Sequence, residues 1–444
     1  MSCNKLFFSP FVFKFEENEE SCLLFNTFNL SLVRVKKSIY DKVVKCLEDV
    51  ETYKNDEEIK GVIEELRKRD FLLEFKVDAT SKRSLLEYTY FLTRAGSNVL
   101  SLWLSLTSNC NMACPYCYLS QKPGRDITNT EAEAIIKFVE STLRENKNVS
   151  TLSIVYFGGE PLLNKQVLIK LHAFFCELAK KENISYSSLI ITNGTLLNEA
   201  LVQELNEIRR NCDTSAITFQ VTLDGFGETH NRRRPLKNGD DSFSLIYNNF
   251  VRLVKDDNIR NVALRSNVDN ENIESVKKLY NNLRESLGFN ISKINVGLSW
   301  TYPSQSYYLR CPTYEIFPNR DQALKLLELY RYAKSLGFKI SPLIFTVGPC
   351  GVTNVHNYAI DESLKVYKCP GLFYTDKNFG IIHENGSLEV PNPINLIQYI
   401  GDLNKCYLNC KFGALCYGGC RVMKHCPKEY FETFVSKEGI RLLV

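Results

Sequence analysis

The sequence predicts an α/β protein: a partial (β/α)6 barrel of the TIM type, preceded by a small α+β domain of winged-helix-like layout and followed by a cysteine-rich domain. Three observations carry this expectation. Six apolar runs of strand length alternate with helical patterns between residues 96 and 337. Short β-rich pieces come ahead of two polar helical patterns in the first 95 residues. Seven cysteines lie between Cys350 and Cys426, five of them from Cys406 onward. At about 150 residues per domain, a chain of 444 residues holds two to three domains. The expected boundaries are 1–95, 96–337 and 338–444.

In the first zone the β-rich pieces are Phe11–Phe15, Cys22–Asn26 and Ser31–Val35. The helical patterns are Ser38–Asp49 and Asp56–Arg69. Strands followed by small helices read as a compact α+β module. The charged stretch Asp78–Arg83 reads as a linker into the second zone.

In the second zone the runs are Leu100–Leu106, Leu152–Phe157, Leu189–Thr192, Ile217–Leu223, Val262–Asn267 and Ile294–Ser299. Helical patterns at 165–181, 199–210, 243–255, 273–287 and 322–336 follow in alternation. Thr130–Glu133 reads as the capping box of the helix after the first strand. Serial βα units argue a parallel sheet with helices outside it. The nearly continuous apolar runs read as strands buried on both faces. Six units fit a partial barrel, with a doubly wound sheet as the alternative. The third zone has weak periodicity and few apolar runs, so its core is expected to lean on metal sites.

Composition narrows the function. A net charge of +4 gives no general argument for nucleic-acid or membrane binding. The basic run Arg232–Arg234 reads as a solvated loop. No apolar stretch is long enough to span a bilayer. Leu6–Phe13 is followed by acidic residues where a signal peptide carries a small-residue cleavage site, so a cytoplasmic protein is expected. The 16 cysteines are too clustered for a disulfide scaffold and point to metal ligation. Cys3, Cys22, Cys46, Cys176 and Cys212 are scattered and read as small hydrophobes.

The first cluster, Cys110-x3-Cys114-x2-Cys117, directly follows the first barrel strand. Barrel active sites lie on loops at the carboxyl ends of strands. Three thiolates on one short loop can hold three irons of a cubane and leave the fourth open. An open position marks a catalytic metal site. A zinc knuckle or an electron-transfer cluster would need a fourth local ligand, and no His or Cys follows before His172.

This spacing, with Tyr116 before the last cysteine, resembles the signature of the radical S-adenosylmethionine (SAM) superfamily. Further segments match in order. Phe157-Gly158-Gly159-Glu160-Pro161 resembles the segment whose backbone binds the SAM amino group. Thr192-Asn193-Gly194-Thr195 resembles the stretch after the next strand. Leu223-Asp224-Gly225, with His230 and Arg234-Pro235, resembles the segment whose arginine pairs with the SAM carboxylate. Arg265 and Asn267 occupy positions where relatives contact SAM. The resemblance thus implies Tyr116, Gly158, Gly159, Glu160, Asn193, Arg234 and Asn267 at the cofactor. It also implies a 4Fe–4S cluster held by Cys110, Cys114, Cys117 and SAM itself. The general base is left unassigned.

The tail, Cys406-x3-Cys410-x5-Cys416-x3-Cys420-x5-Cys426, preceded by Cys350 and Cys369, resembles the SPASM domain, which carries auxiliary clusters. The resemblance implies two auxiliary 4Fe–4S clusters. Cys406, Cys410, Cys416 and Cys426 would hold the outer one; Cys350, Cys369 and Cys420 would hold the inner one, with Cys311 as a fourth ligand or an open iron. A usual glycine is Leu364 here. A pair of structural zinc sites is the other reading of the spacing.

The function expected from the resemblance is a SAM-cleaving oxidoreductase that matures ribosomally made peptides. It would join a cysteine sulfur to a carbon in a thioether. Its partners would be a precursor peptide with a leader, bound by the N-terminal module, and an electron donor such as flavodoxin or ferredoxin, with no nucleic acid and no membrane. Sulfatase maturation to formylglycine and a non-enzymatic iron–sulfur or zinc scaffold are the alternatives.

Overall fold

The structure, a computed structural model, describes residues 5–49, 56–95, 98–119, 123–212, 215–301, 318–340, 350–391, 393–396, 405–420 and 426–443. The chain opens with β1 (Phe7–Phe8), β2 (Val12–Glu16), β3 (Ser21–Asn26), β4 (Leu32–Lys36), α1 (Lys37–Glu48), α2 (Glu57–Lys68), β5 (Leu72–Leu73) and α3 (Ala79–Ala95). Strands β2, β3 and β4 form an antiparallel sheet with β3 in the middle. Its core holds Cys22, Leu24, Val43, Cys46, Ile59 and Phe71. The stretch read as a linker is instead the start of α3. Asp78 accepts a bond from the Ser81 N–H at 2.7 Å, capping the first turn. Leu86 and Tyr90 then give the helix a buried face.

Six strands follow in parallel and in chain order: β6 (Val99–Thr107), β7 (Thr151–Gly158), β8 (Ser185–Thr192), β9 (Ser215–Thr222), β10 (Val262–Val268) and β11 (Ile294–Trp300). Between them run α4 (Asn129–Glu145), α5 (Lys165–Glu182), α6 (Glu199–Asn211), α7 (Glu228–Arg233), α8 (Ser242–Lys255) and α9 (Ile273–Leu287); α10 (Arg320–Ser335) comes next. This is the parallel-rich sheet of a partial barrel. The capping box of α4 is Thr128 with Glu131, two residues ahead of the sequence reading.

The strands are not buried on both faces. Along β10, Val262, Leu264, Ser266 and Val268 are buried, while Ala263, Arg265 and Asn267 are half-exposed. In β6–β8 the row Ser101–Ser153–Ser187 shares one register, and Trp103–Val155–Leu189 shares the next. Helices cover one face. The other lines an unclosed barrel and stays open to ligands.

The sheet does not stop at residue 337. It continues through β12 (Lys339–Ile340) beside β11, and through β13 (Asn357–Ile360) parallel to β6. β14 (Lys365–Tyr367), β15 (Gly380–Ile382) and β16 (Leu388–Glu389) add an antiparallel meander. The cysteine-rich zone is therefore partly stapled to the barrel by backbone pairing. It is also bound to the N-terminal elements. Leu86 and Tyr90 of α3 share one apolar cluster with Tyr407, Leu408, Ala414 and Tyr417, and Phe13 stacks on Phe412 at 5.8 Å.

Two scattered cysteines depart from the sequence reading. Cys176 on α5 and Cys212 after α6 are disulfide-bonded, because those helices pack side by side and bring the Cα atoms to 5.8 Å. Among the described residues, no helix is long and apolar enough to cross a membrane.

Leu86 joins two parts of the chain more than 300 residues apart. Leu86→Ala should lower stability by about 2–5 kcal/mol, as a fully buried leucine does when truncated. A denaturant titration followed by tyrosine fluorescence checks this; a loss under about 1 kcal/mol would show that the contact is dispensable.

Candidate cofactor and metal site

The carboxyl ends of β6–β10 converge on one rim. The cysteine loop rises from the end of β6, and its base is set by β7. Gly159 N–H donates to Thr107 O at 2.7 Å and Glu160 N–H to Asn109 O at 2.9 Å. Gly158 has φ +136°, and a Cβ there would lie 2.2 Å from Thr107 O. A Cβ at Gly159 would lie 2.1 Å from Asn109 O. Both glycines are required by this backbone contact.

Glu160 is fully buried. Its carboxylate accepts from Leu162 N–H, Thr192 Oγ1 and Asn193 N–H at 3.1, 2.7 and 2.6 Å. Burial pushes its carboxyl up, and these three donors oppose the shift. The side chain thus ties the end of β7 to the end of β8. Asn193 in turn reaches the cysteine loop, donating to Asn111 Oδ1 at 2.8 Å and approaching Cys110 Sγ at 3.9 Å. A donor at a ligating sulfur is one way a protein tunes a cluster.

Cys110, Cys114 and Cys117 are all half-buried thiols. Cys114 feels the charges of the other two. Burial raises its thiol, and Arg234 works against the rise. Among the described residues no three His, Cys, Asp or Glu side chains converge tightly enough for one metal ion. A cluster asks for a wider set, its thiolates spread over different irons.

Tyr116 turns its hydroxyl inward to the buried Asp224 carboxylate. Arg234 donates to the same hydroxyl at 2.8 Å, and Asn267 Nδ2 lies 3.4 Å from it. Asp224 also accepts the Asn267 N–H at 2.7 Å and stands 4.0 Å from Arg234. His230 accepts the Asp224 N–H through Nδ1 and is held neutral by burial and by the two arginines beside it. The basic run is therefore not a solvated loop. Arg233 is clamped by Asp269 at 2.6 Å, and Arg234 is 9% exposed; only Arg232 is fully exposed.

Arg234 Nε is buried without a hydrogen-bond partner. An orphaned guanidinium N–H near Cys114 of the cysteine loop fits a carboxylate ligand. Sequence reasoning placed Arg234 but missed Asp224 as the residue that holds both Arg234 and Tyr116. Its place next to a glycine at a strand end was the available signal.

In the C-terminal zone Cys416 is pushed up to about 12 by burial and by the nearby Cys406, Cys426 and Cys410. Those are the four cysteines that the resemblance to the SPASM domain assigns to the outer cluster. Cys369 and Cys420 pack into one apolar cluster with Cys117, Tyr118 and Phe157. Lys368 Nζ donates to Asn354, Val355 and Asn357 carbonyls, tying the segment after Cys350 to Cys369. Leu364 has φ +61°, so the position that usually takes glycine keeps a glycine-like backbone. A left-handed non-glycine residue costs about 1–2 kcal/mol. Cys311 and Cys3 lie outside the described residues.

Gly159→Ala should push the cysteine loop off β7. Reconstituted protein should then carry less iron than wild type while keeping its circular-dichroism spectrum. Arg234→Lys loses the planar fork and should weaken SAM binding on the order of 10- to 100-fold, measured by calorimetry.

Comparison with known proteins agrees with this geometry. The profile of the Radical SAM superfamily matches residues 104–283. An uncharacterized protein of Methanocaldococcus jannaschii, MJ0907, is 31% identical over 138 residues, and the match spans 43% of its length. The radical SAM cyclopropyl synthase TigE of Paramaledivibacter caminithermalis is 22% identical across 95% of this chain and 90% of its own. The fold is similar to native anSMEcpe with bound AdoMet and Kp18Cys peptide, at a TM-score of 0.56 and 21% identity, over 78% of this chain and 98% of that one. A 4Fe–4S cluster and SAM go with the superfamily. The match over residues 104–283, with the three-cysteine loop at their head, makes this segment similar to a radical SAM domain.

Proposed function

We propose that the protein is a maturase of ribosomally made peptides, which holds SAM on a 4Fe–4S cluster and forms a thioether between a cysteine sulfur and a carbon of its precursor. The observation that carries this reading is the orphaned, buried Arg234, just after α7 and beside the Cys110–Cys117 loop. When bound, the cluster and SAM supply hydrogen abstraction from an unactivated carbon. The chain's own residues do the rest. Cys110, Cys114 and Cys117 ligate; Arg234 and Asn267 orient the carboxylate end of SAM; Tyr116 and Asp224 hold Arg234 in place.

Two auxiliary clusters complete this reading. The outer one takes Cys406, Cys410, Cys416 and Cys426; the inner one takes Cys350, Cys369 and Cys420. The N-terminal residues to about 95 would bind the leader, adding it as a strand to an edge of the β2–β3–β4 sheet. Flavodoxin or ferredoxin would supply electrons. The peptide substrate is supported by the named ligand of the solved relative, a cysteine peptide.

Sulfatase maturation is the second reading, favoured by the fold match over 98% of anSMEcpe. Against it, about a fifth of this chain lies outside that match. The cyclopropyl product in TigE's name points to a third linkage, carbon to carbon.

Reduced, reconstituted protein given SAM and a cysteine-containing precursor should yield a peptide lighter by two hydrogens, its thiol no longer alkylatable. The same loss with a free thiol would favour carbon–carbon bonding. No mass change, with or without the leader, would sink the maturase reading. Replacing Cys110, Cys114 and Cys117 together by Ala should abolish 5′-deoxyadenosine formation and leave iron on the C-terminal cysteines. An iron-free triple variant would contradict this division of the cysteines.

A further inference from the structure

The outer cysteine set reaches the surface. Cys406 and Cys426 are exposed, whereas Cys110, Cys114 and Cys117 are half-buried and Cys369 is buried. The charge around the outer set is one-sided. From Leu403 to Lys428 the sequence holds five Lys or Arg and no Asp or Glu. Of these, Lys405, Lys411 and Lys428 each lie within two residues of a cysteine of the set and have more than half of the side chain exposed. From α3, Lys82 stands near enough to Cys410 to feel its charge, and Arg83 is exposed beside it. Three carboxylates stand among these five cations. Glu87 lies 3.4 Å from Lys405, and Glu432 lies 3.5 Å from Lys411 and 4.0 Å from Lys428. Glu429 accepts the Arg320 N–H at 2.9 Å. The lysine pairs are all in solvent, where such contacts are weak and readily exchanged, and the face keeps an excess of positive charge.

An apolar stripe borders these charges. Tyr88, Phe91 and Leu92 on α3 are 60%, 60% and 45% exposed. They flank Glu87 on the helix, and the Glu87–Lys405 contact joins the stripe to the residue before Cys406. On the other side of α3, Leu86 and Tyr90 are buried against Tyr407 and Leu408, so the helix is held against the cysteine segment. Large apolar side chains rimmed by charge mark an interaction surface. Electron-carrier encounters are small in area and are guided by opposite charge. Electron transfer also needs donor and acceptor close together, and the two exposed cysteines are where an outside carrier comes near the outer site.

We propose that this face, with Lys82, Arg83, Lys405, Lys411 and Lys428 beside the Tyr88–Phe91–Leu92 stripe, docks a small acidic electron-carrier protein. This rests on the outer cluster assigned above. One electron leaves the carrier and one enters the outer site; no atom is transferred.

The test uses reconstituted protein. Binding of a flavodoxin, and of a ferredoxin as a second acidic carrier, is measured by calorimetry at low salt. The wild type should bind one of them with an affinity that falls as salt is raised. Lys411→Glu with Lys428→Glu should weaken that binding at least about tenfold, and Tyr88→Ser with Phe91→Ser by about as much. Formation of 5′-deoxyadenosine driven by the same carrier should fall in step. Formation driven by dithionite, and iron content, should match wild type. No binding of either carrier, or unchanged affinity in both double variants, would overturn the proposal. A fall with dithionite or a loss of iron would do the same, because the lysines would then serve the cluster itself. Displacement of the carrier by a precursor peptide would give the face to the leader and also overturn it. These carrier assays modify no peptide. Normal carrier binding with no change in peptide mass would therefore sink the maturase reading alone.

Discussion

The contact on which the rest of the site depends is backbone against backbone. Gly158 and Gly159 let the end of β7 lie against residues 107–109, closer than any side chain would allow. That contact sets the base of the cysteine loop. From it follow the Glu160 bridge to Asn193 and the reach of Asn193 back to Cys110. A loop that must present three thiolates to one cluster needs such a foundation, because loops alone are poorly determined. The cost is a buried carboxylate at Glu160, offset by three donors.

The second organising feature is the uneven treatment of the two sheet faces. Helices bury one face with Val, Leu, Ile and Phe. The concave face keeps Ser, Thr, Asn, Gln and one Arg among larger apolar groups such as Trp103, Val155 and Leu189. A closed barrel would fill that face with packed side chains. An open one leaves it for ligands, and the polar groups there find partners among themselves or wait for one. Among the described residues, Arg234 and Glu362 are two of the buried groups near this rim with an atom left over, alongside His230. They lie on different sides of the cysteine loop, one near β9 and one near β13.

The C-terminal zone joins this rim by two routes. β13 extends the sheet next to β6, so the segment leading to Cys369 is placed by strand pairing. The later cysteines are placed by packing against α3, through Leu86, Tyr90, Tyr407 and Tyr417. The N-terminal elements therefore do structural work for the cysteine-rich zone as well as presenting a sheet edge. The packing of the N-terminal elements and of the cysteine-rich zone is coupled through these contacts.

The sequence by itself determined where the six strands fall along the chain and the position of the first cysteine triplet. These are local or periodic signals. Apolar runs mark strands, and short spacings put thiols on one loop. The runs read as continuous, because Ala263 and Ser266 break the alternation that the half-exposed Ala263, Arg265 and Asn267 would otherwise show. Only the tertiary structure decided what depends on contacts between distant segments. These include the closeness of Cys176 and Cys212, the burial of Arg233 and Arg234, and the start of α3 where a linker was expected. Asp224 joining Tyr116 to Arg234, and Ser105 meeting Glu362 from 257 positions away, belong here too. No pattern along the chain carries such pairings, because a residue's burial and its partners are set by the sheet that brings the segments together.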